Sequence, residues 1–522
     1  MVVDGNLSTL LFVSALGIYI HAMFLTISLG FPWVIMGLLY KWWKTRDRDY
    51  YDAVRTATGV LSLNFALGAI TGTLVEFGLV QAWSGSIFII ATFGLMPFAL
   101  ELVAFVAEIV LLILFTVTLG KLRPVASIFV MASYLLMAVL SGILITTVNS
   151  WLNVPWGTAD LAANLYPFLP QYSLSAVDSR ALLKLKTELI RSLMISGSSS
   201  QIIQTPELAR QIGLTLREPF VAFYSPYAVA SMLHNVNAAM IIGISFALFA
   251  YAFKFFRTGR DTYLKLLRAF LPVLLVLLLL QPTVFGHYMG KTVATNQPTK
   301  FALMEAAAST EQNPLIGFLA YGDPQHPIVG FDSFREACDD LQGKTLGDLA
   351  SGTIPSLNPE VASIELKSLC LADLAKAEAR MATINFGYYS KITSGMLALV
   401  SVIALVSLIF RVGILSKIAE RILIRAGRGR VVFLLSLLIL STSMLTASLG
   451  WYVRDGGRKP WTVYGLLYPE ELITSVPFNP AVLALFTLTF LAMAIIGIYG
   501  MYIVASKPLK FIELIKKGAG LK

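Results

Sequence analysis

The sequence predicts an all-α polytopic membrane protein, a bundle of about nine transmembrane helices. Three observations predict it. The 522 residues are 57% hydrophobic and only 13% charged, with mean hydropathy +0.74. Apolar runs of about 20 residues, the length that crosses a bilayer core, recur along the chain. Short loops dense in Lys and Arg alternate with loops that are not, the pattern that fixes orientation in a membrane.

Nine apolar segments can be placed, at roughly 10–40, 57–82, 88–118, 124–148, 226–256, 266–288, 384–410, 431–453 and 478–505. The first, from Leu10 to Tyr40, is too long for the apolar part of a cleavable signal and reads as a span. An odd number of spans puts the termini on opposite sides. With the N-terminus outside and the C-terminus cytoplasmic, the inner loops hold "KWWKTRDRDYYDAVR", "GKLR", "KFFRTGRDTYLK", "KIAERILIRAGRGR" and the tail "SKPLKFIELIKKGAGLK". The net charge of +10 is then explained by orientation, and nucleic acid is excluded as a partner. Two polar insertions, 149–225 and 289–383, fall outside. Both cysteines, Cys338 and Cys370, lie in the second, where an oxidising compartment permits a disulfide and two free thiols are the alternative. The stretch "SGSSS" at 196–200 reads as a surface loop, and there is neither an internal repeat nor a phosphate-cradling glycine loop.

An ionisable group inside a span costs a few kcal/mol, about 3 on insertion scales, so each one needs a partner or a function. Segment three carries Glu101 and Glu108, seven residues apart, hence on one helical face about 10 Å apart along the axis. Two carboxylates in file can relay protons, or they are satisfied polar contacts within the bundle. His21 and His234 lie inside segments one and five, where a neutral imidazole either ligates iron or is a hydrogen-bonded core residue. His21, His234 and Lys391 of segment seven all fall in the outer half of the bundle. The stretch "ATNQPTKFALMEA" emerges on the same side with Gln297, Lys300 and Glu305. On a short helix Lys300 and Glu305 stand about 140° apart, so they flank one bound head group or belong to a solvated loop helix. A quinol needs a base to take each proton as electrons leave, and a carboxylate near a cation serves.

These residues resemble subunit I of the cytochrome bd-type quinol oxidases. The resemblance is carried, in order, by "HAMFLTISLG", "LNFALGAITGTLVEF", "FALELVAFVAE", "NSWLNVP", "NQPTKFALMEA" and "GWYVRDGGRKPW". It implies a nine-helix subunit that oxidises quinol at its outer face, passes electrons through haems, reduces dioxygen to water with cytoplasmic protons, and so charges the membrane without a pump. It implies haem b, with haem d or a further haem b, and a second membrane subunit of homologous fold. By this resemblance, residues 1–148 hold segments one to four with a high-spin haem and the proton path, and 149–225 form an extracytoplasmic insertion. Residues 226–288 hold segments five and six, 289–383 the quinol-binding insertion, and 384–522 segments seven to nine with a cytoplasmic tail. His21 matches the histidine of a high-spin haem and His234 that of the low-spin haem nearest the quinol. Glu101 and Glu108 match the acidic pair of segment three, Lys300 and Glu305 the quinol-oxidising positions. Arg458 is a haem-propionate partner by charge, or else a solvated loop arginine.

Three positions depart from the family pattern. Lys391 stands where the family has its methionine haem ligand, with Met396 more than a turn further in. A lysine binds iron only as the free amine, and the alternative is that Lys391 snorkels outward. Ser448 replaces an acidic haem ligand, so that haem is held otherwise or missing. Tyr389 replaces an arginine. A divergent oxidase and a companion subunit of a bd-type oxidase, mainly structural or quinol-handling, are both consistent with these changes. A secondary transporter is disfavoured, because no matching broken helices recur in two halves.

Overall fold

The computed structural model describes residues 3–78, 82–83, 94–155, 220–345, 348, 363, 365–411, 427–464, 469 and 479–506. Among them are nine helices long and apolar enough to cross a membrane. The insertion 149–225, the "SGSSS" stretch, the loop after the seventh span and the C-terminal tail lie wholly or largely outside the described residues.

Helices α1 (Val3–Thr45) and α2 (Arg48–Thr73) form the first two spans. The second starts nine residues before its apolar run, because Asp47 caps it by accepting from the Asp49 amide at 3.0 Å. Helix α2 continues into a π-helical turn, Leu74–Gly78. Helices α3 (Leu95–Thr118), α4 (Pro124–Asn153) and α5 (Tyr227–Thr258) follow. The sixth span combines α6 (Asp261–Leu280), a π-helical turn at Gln281–Gly286 and α7 (His287–Asn296). Four short helices come next: α8 (Pro298–Glu305), α9 (Pro314–Tyr321), α10 (Phe331–Asp339) and α11 (Leu366–Glu378). The last spans are α12 (Met381–Phe410), α13 (Arg428–Gly456) and α14 (Pro480–Ser506). Most helices overrun their apolar segments, since polar turns continue the helix beyond the hydrocarbon depth.

Helix α5 is central, packing on α1, α4, α6 and α13. Its closest approach is to α1, where a Cβ built on Gly30 would lie 2.4 Å from the Gly243 Cα. Only paired glycines let two backbones meet so closely, the small-residue packing typical of membrane helices. Short turns join α1 to α2 and α3 to α4, and Ser225, just before α5, donates to the Ser150 carbonyl near the end of α4. Helices α1 and α5 therefore run parallel. His21 and His234 each precede the crossing glycine by nine residues, which sets both about 13 Å from the crossing, at the same level.

The core divides by level. One cluster joins Ile35, Leu38, Leu61, Tyr134, Leu267, Leu405 and Val432. A second caps the other end of the bundle, where Trp151, Tyr227, Phe301, Phe331, Phe334, Ile384 and Val453 bring the short helices down onto the ends of α4, α5, α12 and α13. Within that cap Cys338 and Cys370 form a disulfide that ties α10 to α11, settling the choice between bond and free thiols.

Candidate functional site

The polar side chains inside this apolar bundle gather in three groups. The first lies beneath the cap. Helix α8 begins with Pro298, a residue suited to a first helical turn, and buries everything from Pro298 to Met304, Lys300 included at 1% exposure. A solvated loop helix is thereby excluded. The Lys300 ammonium donates to Gln297 Oε1 at 3.2 Å and to the Arg454 carbonyl at 3.1 Å, and stands 5.6 Å from the Tyr227 ring. Burial, then the nearby Arg454 and Arg458 charges, hold it well below the usual lysine range. Arg454 packs its guanidinium over Tyr227 and Trp451, at 5.6 and 5.0 Å, while Nε, Nη1 and Nη2 have no hydrogen-bond partner. Arg458, also buried, bonds Asp455 at 3.1 Å and the Thr462 carbonyl at 2.6 Å. Three buried cations thus surround one acid. A carboxylate-bearing ligand would answer the three bare nitrogens of Arg454.

His234 belongs to this neighbourhood, within electrostatic reach of Arg454 and Lys391. Its ring nitrogens lie 3.2 and 3.3 Å from the Gln281 amide nitrogen. Gln281 accepts from Asn237 at 2.6 Å in turn. Gln281 opens the π-helical turn of the sixth span, and such bulges often re-aim a side chain at a functional site. Lys391 runs its stem past Gly450 and ends 5.4 Å from the Tyr388 ring. Glu305 points away from Lys300, to the α12 side, where it accepts from the Tyr389 hydroxyl at 2.8 Å.

The second group surrounds His21. Its Nδ1 lies 3.2 Å from Thr71 Oγ1, and a Cβ at Gly72 would come within 2.9 Å of the imidazole. Glycine at that position is what lets the ring lie against α2. Ser448, at the second departure from the family pattern, is committed to protein: its hydroxyl donates to the Met444 carbonyl and shares a 2.8 Å bond with the Tyr19 hydroxyl.

The third group is acidic. Ser141 of α4 donates to Glu101 Oε1 at 2.9 Å, and Glu108 lies within electrostatic reach of Glu101. Glu108 is buried at 5% exposure. Glu76, in the π-helical turn after α2, lies within electrostatic reach of Glu101 and extends the file to three carboxyl groups.

The sequence reading missed Arg454, Gln281 and Glu76. Each had a signal: Glu76 is the sole acid of its apolar segment, Gln281 interrupts a run of leucines before Pro282, and Arg454 lies two turns beyond Ser448 in a helix taken to end earlier. Among the described residues no three His, Cys, Asp or Glu side chains converge on a bare metal ion. Single imidazoles near level with each other, one beside orphaned arginine nitrogens, instead suit a macrocycle that brings its own equatorial donors and carboxylates. The residues present fit haem.

The comparisons with known proteins agree. The family model described as cytochrome bd terminal oxidase subunit I matches residues 11–508. A Bacillus subtilis (strain 168) protein named "Putative cytochrome bd menaquinol oxidase subunit I" is 19% identical, with 92% of each chain covered. In fold the chain is similar to the bd oxidase structure from Geobacillus thermodenitrificans, at TM-score 0.65 and 17% identity, covering 95% of this chain and 97% of that one. The chain belongs to the cytochrome bd terminal oxidase subunit I family, multi-pass membrane subunits of respiratory quinol oxidases.

Proposed function

We propose that this subunit oxidises membrane quinol at its extracytoplasmic end and reduces dioxygen to water with protons drawn from the cytoplasm. The observation that carries the reading is the cluster of Lys300, Arg454 and Arg458 beside His234, three buried cations with one acid among them. When bound, haem supplies the one-electron chemistry between quinol and oxygen, as haem b with haem d or a further haem b. When haem is bound, His234 and Lys391 would hold the iron nearest the quinol, with Arg454 and Arg458 available to its carboxylates, and His21 would hold the iron on the oxygen side. Glu305 accepts protons from the quinol. Glu101, Glu108 and Ser141, joined by Glu76, carry protons inward from the cytoplasmic side.

In this reading the N-terminus lies outside and the C-terminus is cytoplasmic. Residues 1–148 carry the oxygen-side haem and proton path, 149–225 and 289–383 are extracytoplasmic, and the latter binds quinol; 226–288 and 384–522 supply the remaining spans. Protons leave quinol outside and are consumed from inside, which generates proton motive force. A second membrane subunit of homologous fold completes the enzyme.

One observation favours the companion-subunit reading: Ser448 is bonded to Tyr19, at the position where the family carries an acid. Activity decides between the two. Expressed with its partner subunit in a host stripped of its own terminal oxidases, the chain is expected to confer quinol-dependent oxygen uptake. Glu305→Gln is expected to lower that uptake by about a hundredfold or more, the scale of a lost general base. A haem-loaded complex that takes up no oxygen with any quinol would establish the companion role instead.

A further inference from the structure

Tyr389 occupies a position that the oxidase reading leaves without a role. It is 44% exposed, on the outward face of α12 that also presents Phe386, Ile392, Met396 and Val400. These residues recur at helical spacing and form one apolar strip. Along it, the Tyr389 hydroxyl and the Glu305 carboxylate bonded to it form a polar pair, beside Thr393, whose hydroxyl donates to the Tyr389 carbonyl. Such a pair facing lipid is costly unless its occupant is itself amphipathic. A flat ring with hydroxyl groups and a long apolar tail satisfies both the strip and the pair.

The geometry around Glu305 isolates it. It is the last residue of α8, and Ala306 ends the helix in the left-handed region at φ 55°. Lys300, on the same short helix, turns its ammonium inward to Gln297 and Arg454. Among the described residues no cation pairs with Glu305. From α12 the titratable groups facing it are Tyr389 and, behind it, Tyr388, whose rings meet edge to face at 5.3 Å. The charged side chains of α11, among them Asp373 and Glu378, do not act on it. Burial pushes the Glu305 carboxyl up from the ordinary range, and the bond from Tyr389 pulls it part of the way back.

We propose that Tyr389 is a positioning residue for quinol oxidation: its hydroxyl donates to the Glu305 carboxylate and aims it at the α12 strip, along which the quinol ring enters from the membrane. The inference rests on the oxidase reading above. In the step concerned, a quinol O–H bond breaks, its proton forms the O–H of the Glu305 carboxyl, and the electron leaves to the oxidant that the enzyme's haem chemistry supplies. Tyr389 keeps its own proton throughout.

The sign of the effect follows. Without the donor, the ionised carboxylate loses stabilisation and takes up a proton at higher pH, so base function is lost on the acidic side only. The test is the pH profile of kcat/KM for a short-tailed quinol, measured on the complete complex with haem content determined alongside. Tyr389→Phe is expected to fall about tenfold below wild type at pH 6, the lower end of the worth of one hydrogen bond to a charged group, and to match it within about twofold at pH 8. A profile that superimposes on wild type, or one lowered equally at every pH, overturns the proposal. Glu305→Gln is measured in parallel: if it too is silent, the placement of the quinol site falls; if it abolishes quinol oxidation while Tyr389→Phe is silent, only the present inference falls.

Discussion

Gly243→Ala strains the helix crossing that sets the level of His21 and His234. A Cβ on residue 243 would meet the Gly30 Cα at 2.5 Å and the Thr26 carbonyl oxygen at 2.7 Å, both backbone atoms that no rotamer change can move aside. Restoring ordinary contact requires α1 and α5 to separate by about 1 Å. Overpacking of this kind costs about 1–3 kcal/mol. Helices α1 and α5 carry His21 and His234 at one level, so separation moves one imidazole relative to the other as well as loosening the bundle. Gly142→Ala is the control, since a Cβ there meets nothing within 4 Å, and replacing a helical glycine that has room for a methyl gains up to about 1 kcal/mol. The assay is thermal or denaturant unfolding of the purified complex, with the haem spectrum followed through the transition. Gly243→Ala is expected to unfold earlier and to lose haem at lower temperature, Gly142→Ala to be neutral or stabilised. Equal behaviour of the two variants would refute the crossing as the element that sets the level of the histidines.

Two further outcomes are expected. Gln281→Leu removes the amide that reaches both nitrogens of His234 and leaves Asn237 without its acceptor at that side chain; the low-spin haem signal should broaden or shift in electron paramagnetic resonance while total haem stays near stoichiometric, and an unchanged spectrum would remove Gln281 from the site. Cys338→Ser with Cys370→Ser opens a loop of sequence separation 32, worth about 3–4 kcal/mol in the unfolded chain; proteolysis of the cap should accelerate, and equal resistance would show that packing around Phe331 and Phe334 suffices.

Much of this organisation was legible in the sequence because the bilayer imposes few solutions. Span number follows from apolar length, and the nine segments correspond to the nine candidate spans among the described residues even where ends such as Arg48 lie beyond them. His21, His234, Glu101 and Glu108 stood out because charge or imidazole inside an apolar run is conspicuous. What escaped were groups whose burial is made by tertiary packing. Arg454 reads as part of a polar helix end and becomes an interior residue where Tyr227 of α5 packs on its guanidinium and Lys300 of α8 on its carbonyl. Gln281 carries no charge, and its importance comes from a π-helical turn that no periodicity announces. Lys300 and Glu305, close in sequence, turn to opposite sides of α8, one into the cap and the other onto α12. Their angular separation was readable, but not which neighbour each would meet.

The central claim is that His234 holds a haem which quinol can reduce. A difference spectrum of the purified complex, quinol-reduced minus oxidised, tests it directly when recorded for wild type and His234→Ala side by side. Wild type should show low-spin b-type bands that the variant lacks while its other haem absorption persists. A wild-type complex without porphyrin bands, or a variant whose low-spin bands remain intact, would contradict the account.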